Sequence, residues 1–340
     1  PSTLELDRRQ RQMCIRDSVD AAHTPHLSGL AAEGGSNPDG GRAVLSTATY
    51  PNHASFATGL APADHGILVN RVWNGQEFRP ASEIGPRGDT IFTAAREHGR
   101  SSANVVGDHH LVGVMGGFDA DRHWPPEGMR PDVALDEFRY ATNAAVIAAV
   151  DETDLIDADL CVVHFNEPDT VSHRFGPDAP ELAACARQTD VALGELLERL
   201  RPRWDETVVM VVSDHDQELV TAHGMDLAAE LAARGLPGTV ETEGTAALVM
   251  DGPPVERLRE LDSVEDGHVI DDRNTIVWGK PGVVFGPWLD ELRGSHGSPR
   301  CATQVAVVGG GDPAAVAIGE AVATARPDAT WWAPVMLELL

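Results

Sequence analysis

The chain has 340 residues, of which 42% are hydrophobic, and its 26 basic and 53 acidic side chains give a formal net charge of −27. This composition can fill the core of one large domain or two smaller ones and excludes a chain that is disordered throughout. The acidic surface argues against binding of a nucleic-acid polymer, which needs Lys and Arg to displace counterions, and no apolar run reaches the roughly 18 residues of a membrane span.

The first 18 residues differ in character from the rest of the chain. They contain no apolar strand and carry a basic cluster, and the run 13–17 looks like a translated sequencing adapter. We therefore expect residues 1–18 to be a non-native segment, with a disordered basic tail as the alternative. A cytoplasmic location is favoured, but export stays open because, on this interpretation, the native N-terminus is missing.

From residue 24 onward, helical and strand patterns alternate, which is typical of a layered α/β fold. Continuous apolar runs predict buried strands in a sheet that helices cover on both faces. We expect one domain over 19–340 with a mostly parallel central sheet, and a small capping insertion at about 217–300. The predicted helices are 27–32, 89–96, 135–150, 181–200, 227–233 and a final helix from Pro313, and the predicted strands are 105–107, 160–165, 207–212, 245–250, 275–278, 283–285 and 305–308.

The first polar motif follows the apolar run 44–46 and contains Thr49 and Pro51. Pro suits the first turn of a helix, so the Thr49 hydroxyl is expected near a helix N-terminus, where backbone amides favour an anion. A hydroxyl becomes a good nucleophile only when a base or a metal lowers its pKa. On this motif alone, a plain helix cap is the simpler interpretation of Thr49.

Asp169 and His173 follow the predicted strand 160–165 and the strand-ending Pro168. If the segment makes one helical turn, the two side chains can reach the same cation. An Asx turn with a surface histidine explains the same residues equally well.

Asp214 and His215 come directly after the strongest apolar run, 207–212, and His296 lies in a glycine-rich loop. The carboxyl edge of an open α/β sheet is where ligands bind, so the adjacent Asp and His are a more specific signal than the earlier motifs. His296 by itself is weak, because most such histidines are simply exposed.

Together these motifs resemble the alkaline phosphatase superfamily, and within it most closely the nucleotide pyrophosphatase/phosphodiesterase branch. The resemblance runs from about residue 24 to 310 and is dense only in the motifs. The segments that carry it are Thr49-Tyr50-Pro51-Asn52-His53, Thr58-Gly59-Leu60-Ala61-Pro62, His65-Gly66-Ile67, Asn70, Glu167-Pro168-Asp169 with His173, and Ser213-Asp214-His215.

The resemblance implies an alkaline-phosphatase-like fold and the hydrolysis of a small phosphate diester or nucleotide. Thr49 matches the nucleophile that takes the phosphoryl group covalently, as a phosphothreonine, and Asn70 matches the donor to a phosphate oxygen. Open alternatives are a phosphonate hydrolase or phosphomonoesterase of the same superfamily, or an inactive metal-binding homologue. The sequence does not indicate an oligomeric state.

The resemblance also implies two divalent metal ions, for which we expect zinc. Asp169, His173 and His296 match the three ligands of one ion, and Asp214 and His215 match two of the three ligands of the other. The family's remaining ligand is an Asp at the end of an opening strand, which would fall within residues 1–18. We therefore expect the second site to lack a ligand and the neighbouring strands to have exposed edges.

A second departure from the family is the run Asp216-Gln217-Glu218, where the family usually has Gly after the Asp-His pair. These side chains could tune a metal ligand or simply be exposed. His53 and His65 are predicted to have structural roles. His109, His110 and His223 stay unassigned, with surface or core positions as the default.

Overall fold

The computed structural model describes residues 21–222, 224–286 and 291–340. The predicted non-native segment 1–18 and the opening strand expected there lie outside the described residues, as does His223.

Helices and short strands alternate along the described chain. The helices are α1 (Pro25–Glu33), α2 (Thr49–Thr58), α3 (Pro62–His65), α4 (Ala81–Ile84), α5 (Ile91–Glu97), α6 (Leu111–Val114), α7 (Asn143–Glu152), α8 (Glu167–Phe175), α9 (Pro180–Leu200), α10 (Leu227–Ala233), α11 (Val255–Leu258), α12 (Ala314–Ala325) and α13 (Trp332–Glu338). The strands are β1 (Gly35–Ser36), β2 (Gly41–Arg42), β3 (Arg71–Trp73), β4 (Phe78–Pro80), β5 (Ser102–Val106), β6 (Arg122–Trp124), β7 (Leu160–His164), β8 (Val208–Val212), β9 (Glu218–Leu219), β10 (Thr239–Glu243), β11 (Ala246–Met250), β12 (Val264–Val269), β13 (Asn274–Gly279), β14 (Gly294–Ser295), β15 (Thr303–Gln304) and β16 (Ala306–Gly310).

Two three-stranded sheets form the body of the fold. One is parallel, in the order β6-β5-β7, and the other is antiparallel, in the order β1-β16-β8. The predicted α/β fold is confirmed. Within the described residues, parallel ladders occur only in the first of these sheets.

Helices cover both faces of these two sheets. On one face, α9 packs Leu196 against the parallel sheet and Leu193 against the antiparallel one. On the other face, α2 packs Ala54 against the parallel sheet and Phe56 against the antiparallel one. The same two helices therefore pack against both sheets and join them.

The strands β7 and β8 are more exposed than their apolar sequences predict. Every residue of β8 is only half-buried, as are four of the five residues of β7. Among the described strands, β8 pairs only with β16, and β7 pairs only with β5. The prediction of a fully buried strand over 207–212 is therefore wrong. The expected exposure of edges next to the opening strand stays a prediction, because that strand lies outside the described residues.

Two predicted helices start later than expected. The helix predicted over 135–150 begins at Asn143, because Asp136 Oδ1 accepts the backbone N–H groups of Phe138 and Tyr140 and holds the chain in a turn. The helix predicted over 89–96 begins at Ile91 and is capped by Thr90, whose side chain and that of Thr93 form a reciprocal capping box.

The C-terminal third of the chain differs from prediction in two places. The segment 283–285 is not a strand, because it contributes only an isolated bridge between Phe285 and Met225. The helix after Pro313 is not the last one, since α13 follows it.

A four-stranded antiparallel sheet, in the order β10-β11-β13-β12, has an apolar cluster of its own with α10 and α11. It falls within the region 217–300, whose role as a capping insertion stays a prediction. No helix in the described ranges is both long and apolar enough to cross a membrane.

His65 is a buried histidine at the end of α3, with 1% of its surface exposed. Its Nδ1 accepts the backbone N–H of Ile67 at 3.2 Å, and its Nε2–H donates to the Ser55 hydroxyl at 3.1 Å. Burial lowers the pKa of His65 from 6.5 to about 4. The neutral ring therefore ties α3 to α2, which confirms the predicted structural role.

We expect the free energy of unfolding to fall as the pH decreases from 6.5 to about 4, because the unfolded chain then binds a proton at His65 that the folded chain does not. The contribution amounts to about 3 kcal/mol. In urea unfolding measured from pH 7 to pH 4, the difference in stability between the wild type and His65→Gln should shrink by this amount. The exposed His98→Gln should follow the wild type at every pH, and a constant gap for His65→Gln would contradict the prediction.

Candidate metal centre

The carboxyl ends of β7 and β8 bring distant motifs together. Asp169 lies in the first turn of α8, which follows β7, and His215 follows β8 directly. His296 comes from the loop after β14. The side chains of these three residues each offer a donor atom, and the donor atoms lie within 4.8 Å of one another. Residues up to 127 positions apart in the sequence therefore form one cluster.

His173 joins this cluster one helical turn after Asp169. Its Nε2 is 3.5 Å from Asp169 Oδ2, and its ring centroid is 5.0 Å from that of His296. The Nδ1–H donates to the Gly294 carbonyl at 2.8 Å, which leaves Nε2 as the free acceptor. The predicted single helical turn is confirmed.

Asp214 and His215 lie on the side of the cluster that faces Thr49. His215 Nε2 is 3.3 Å from Asp214 Oδ2 and 3.2 Å from Thr49 Oγ1. The Nδ1–H of His215 donates to the Asp216 carbonyl at 3.0 Å. Burial alone would raise the pKa of Asp214, but His215, His53 and a third histidine lower it below its usual value.

The rings of His215 and His296 stack at the centre, with 3.9 Å between centroids and 24° between planes. Only 4% and 6% of their surfaces are exposed. Burial, together with the neighbouring His215 and His173, holds the pKa of His296 well below its usual value. The buried Nδ1 of His296 has no hydrogen-bond partner, and such an orphaned atom requires an explanation.

The cluster fits a zinc-type ion. Imidazole nitrogens and carboxylate oxygens are zinc ligands in proteins. A ligating histidine usually donates its other ring N–H to a carbonyl or carboxylate, as His173 and His215 already do. The Nδ1 of His296, which has no hydrogen-bond partner, is a further nitrogen available to bind a metal.

The five predicted metal ligands thus lie in one continuous cluster. The tightest group, Asp169 with His215 and His296, includes residues that the sequence assigned to two different ions. The assignment of three ligands to one ion and two to the other stays a prediction.

Thr49 is the first residue of α2 and lies half-buried beside the cluster. The N-cap position belongs to Ala48, so the Thr49 hydroxyl does not cap the helix, and the simpler interpretation fails. Asn70 lies next to it, because its Oδ1 accepts the Tyr50 backbone N–H at 3.2 Å. Within the described chain, Asn70 Nδ2 has no hydrogen-bond acceptor.

Glu243 supports Asn70 from the four-stranded sheet, and no sequence motif pointed to it. The backbone N–H of Asn70 donates to Glu243 Oε2 at 2.6 Å. Burial raises the pKa of Glu243 to about 7. The next residue, Gly244, has φ +59°, and a Cβ atom there would meet the His296 carbonyl oxygen at 2.4 Å. The β10–β11 turn therefore braces both Asn70 and His296.

Gln217 and Glu218, which follow soon after His215, hold neighbouring residues of the site in place. Gln217 Nε2 donates to Asp169 Oδ1 at 2.7 Å, and Glu218 accepts from Ser298 Oγ at 2.5 Å and from Arg300 Nε at 2.6 Å. Gln217 therefore orients a predicted metal ligand, whereas Glu218 anchors the loop after His296.

His53 lies closer to the site than its predicted structural role required. Its Nδ1 is 2.8 Å from the Thr49 carbonyl and 3.6 Å from Asp214 Oδ2. Its ring packs edge-on against His164, at 5.1 Å between centroids. Burial lowers the pKa of His164 to about 3, so this second ring stays neutral.

Comparison with known protein families gives a match over most of the chain. A model for type I phosphodiesterase / nucleotide pyrophosphatase matches residues 14–285. The chain is 29% identical over 184 residues to an uncharacterized pyrophosphatase/phosphodiesterase of Schizosaccharomyces pombe, covering 49% of this chain and 35% of the relative. It is 24% identical over 248 residues to the venom phosphodiesterase CdcPDE of Crotalus durissus collilineatus, covering 69% and 27%. The chain thus spans about a third, or less, of these relatives' length.

Solved structures share the fold. Murine ectonucleotide pyrophosphatase / phosphodiesterase 5 superposes with a TM-score of 0.63 at 17% identity, covering 86% of this chain and 85% of the other. Phosphonoacetate hydrolase from Sinorhizobium meliloti 1021, in complex with phosphonoformate, superposes with a TM-score of 0.66 at 17% identity, covering 95% and 90%.

We expect Gln217→Ala to weaken zinc binding, because it removes the donor that orients the Asp169 carboxylate. Loss of such an orienting hydrogen bond typically costs about 10- to 100-fold in metal affinity. Competition with a fluorescent zinc chelator measures the change. Gln76→Ala, at an exposed position, serves as the matched control and should bind zinc like the wild type. Equal affinity of the Gln217→Ala and wild-type chains would contradict the prediction.

Proposed function

The chain belongs to the type I phosphodiesterase / nucleotide pyrophosphatase family, and on this basis we propose that it hydrolyses small phosphate diesters, nucleotides among them, with Thr49 as the nucleophile and two bound divalent zinc-type ions. One observation carries the proposal: the Thr49 hydroxyl lies 3.2 Å from His215 Nε2, at the edge of the buried ligand cluster.

Five residues would hold the metal ions: Asp169, His173, Asp214, His215 and His296. When bound there, the metal ions polarise phosphoryl oxygens, lower the pKa of the Thr49 hydroxyl and neutralise the leaving oxygen. Without them, the ligand set includes the carboxylates of Asp169 and Asp214, which do not attract a phosphate anion.

The chain's own groups define the reacting geometry. Thr49 Oγ1 loses its proton and attacks phosphorus, the bond to the leaving oxygen breaks and that oxygen takes up a proton, so that the phosphoryl group is bound to Thr49 as an ester. Water then attacks this ester, breaks the Oγ1–phosphorus bond and restores the hydroxyl. We expect Asn70 Nδ2 to donate to a phosphoryl oxygen. In support, hydrogen bonds to Tyr50 and Glu243 hold Asn70 beside Thr49.

The family membership favours a diester substrate over the alternatives. The fold is shared with a phosphonoacetate hydrolase as well as with ectonucleotide pyrophosphatase / phosphodiesterase 5, which has also been solved in complex with AMP. The shared fold therefore does not distinguish a phosphonate substrate from a phosphate diester. The family model that matches residues 14–285 describes phosphodiesterases and so favours the diester.

The substrate class is tested with the zinc-loaded wild type on four compounds: bis-p-nitrophenyl phosphate, the p-nitrophenyl ester of thymidine 5′-monophosphate, p-nitrophenyl phosphate and phosphonoacetate. We expect faster hydrolysis of the two diesters. Turnover of the monoester or the phosphonate without turnover of either diester would reject the proposal.

We expect Thr49→Ala to lower kcat by at least about 10³-fold, since it removes the attacking oxygen, and to leave zinc content unchanged. Thr49→Ser keeps a hydroxyl and should retain more activity than Thr49→Ala. Thr58→Ala is the matched control at the other end of the same helix, where its hydroxyl donates to the Ala54 carbonyl at 2.7 Å and accepts the Leu60 N–H at 3.2 Å. Wild-type kcat in Thr49→Ala would exclude Thr49 as the nucleophile.

A further inference from the structure

A second group of metal-ligating side chains lies in the loop between β5 and α6. Asp108, His109 and His110 each offer a donor atom, and these atoms lie within 4.8 Å of one another. The imidazole centroids of the two histidines are 4.0 Å apart, with 35° between their planes. None of the three belongs to the metal centre described above, and the sequence left both histidines unassigned.

Asp108 is a carboxylate deep in the protein, with 2% of its surface exposed. Its Oδ1 accepts the His110 backbone N–H at 2.9 Å, and its side chain is also hydrogen-bonded to Tyr50. Burial raises the pKa of Asp108 to about 7. Within the described residues, no Lys or Arg forms an ion pair with it. Buried carboxylates are normally paired with a cation or coordinate a metal.

The two histidines have ring nitrogens to offer. His110 Nδ1 is 3.3 Å from the Ser82 hydroxyl, which leaves Nε2 free. His109 Nδ1 is buried and has no hydrogen-bond partner. Burial lowers the pKa of both rings, that of His109 to about 4, so both are in the neutral form that binds metals.

We propose that Asp108, His109 and His110 bind a divalent transition-metal ion of the zinc class, at a site separate from the metal centre beside Thr49. Two imidazoles and one carboxylate form a zinc ligand set that leaves a fourth position open. The ion supplies the missing positive charge next to Asp108 and a partner for the orphaned nitrogen of His109. The proposal does not depend on the reaction that the protein catalyses.

The new site lies near the first one. Tyr50 follows Thr49 in α2, its side chain is hydrogen-bonded to Asp108, and its ring centroid is 6.3 Å from that of His110. The loop leaves the carboxyl end of β5, which pairs in parallel with β7, the strand that leads to Asp169. Both sites therefore lie at the same edge of the parallel sheet.

The test is the number of zinc ions per chain. A chelator removes metal from the wild type and from the double variant His109→Ala/His110→Ala, and each is then reloaded with zinc alone. Gel filtration removes unbound zinc, and elemental mass spectrometry measures the zinc bound per chain. We expect the double variant to hold one ion fewer than the wild type. His98→Ala/His268→Ala, which removes two exposed histidines elsewhere, should hold the wild-type number. An equal zinc content in the wild type and His109→Ala/His110→Ala overturns the proposal.

A second measurement uses the wild type only, so that it is independent of the folding of any variant. Diethyl pyrocarbonate modifies accessible imidazoles, and peptide mass spectrometry reads modification at His109 and His110 with and without zinc. Protection by zinc supports the site, and equal modification overturns it. Diester hydrolysis is measured separately, so that failure of the proposed function and failure of this site give different results.

Discussion

The stacking of His215 on His296 is the contact on which the rest of the site depends. The two imidazoles have 3.9 Å between centroids and are almost fully buried, and burial together with the neighbouring His215 lowers the pKa of His296. Their backbone neighbours fix the geometry: the Asp216 carbonyl takes the Nδ1–H of His215, and Thr245 donates its N–H to the His296 carbonyl. The remaining ring nitrogens are thereby available as ligands beside Thr49.

The strand ends that carry the site could be predicted because they follow the strongest apolar runs of the chain. Asp169 with His173 after β7 lies at the carboxyl end of a parallel strand, where ligands bind in α/β sheets. Asp214 and His215 follow β8, which pairs antiparallel with β16, but they reach the same cluster. His296 is different. Its glycine-rich loop carried little information by itself, and only the family resemblance singled it out. Its position in the stack depends on a turn about 50 residues earlier, at Gly244.

Other features could not be predicted, because they depend on contacts between distant residues. Glu243 meets Asn70 across 173 positions, and Gln217 meets Asp169 across 48, with no local pattern to indicate either. The exposure of β8 is set by its neighbours rather than by its own apolar sequence. A turn at Asp136 replaced the first part of the helix predicted over 135–150, because the Asp136 side chain accepts two backbone N–H groups. The hydrophobic periodicity of a sequence does not show that a side chain competes with the helix for backbone N–H groups.

The charges of the site bear on the order in which metal ions and substrate would bind. Within the described residues, Asp169 and Asp214 form close charge contacts with histidines only, and neither has a Lys or Arg partner. His296 and His53 are held neutral by burial, since their pKa values are lowered. On a chain whose net charge is −27, the two carboxylates by themselves disfavour a phosphate anion. Under the proposed function, divalent cations bound here would reverse the sign of this local field, and we expect metal binding to precede substrate binding. A diester, which carries one negative charge per phosphate, needs less neutralisation in such a site than a monoester dianion does.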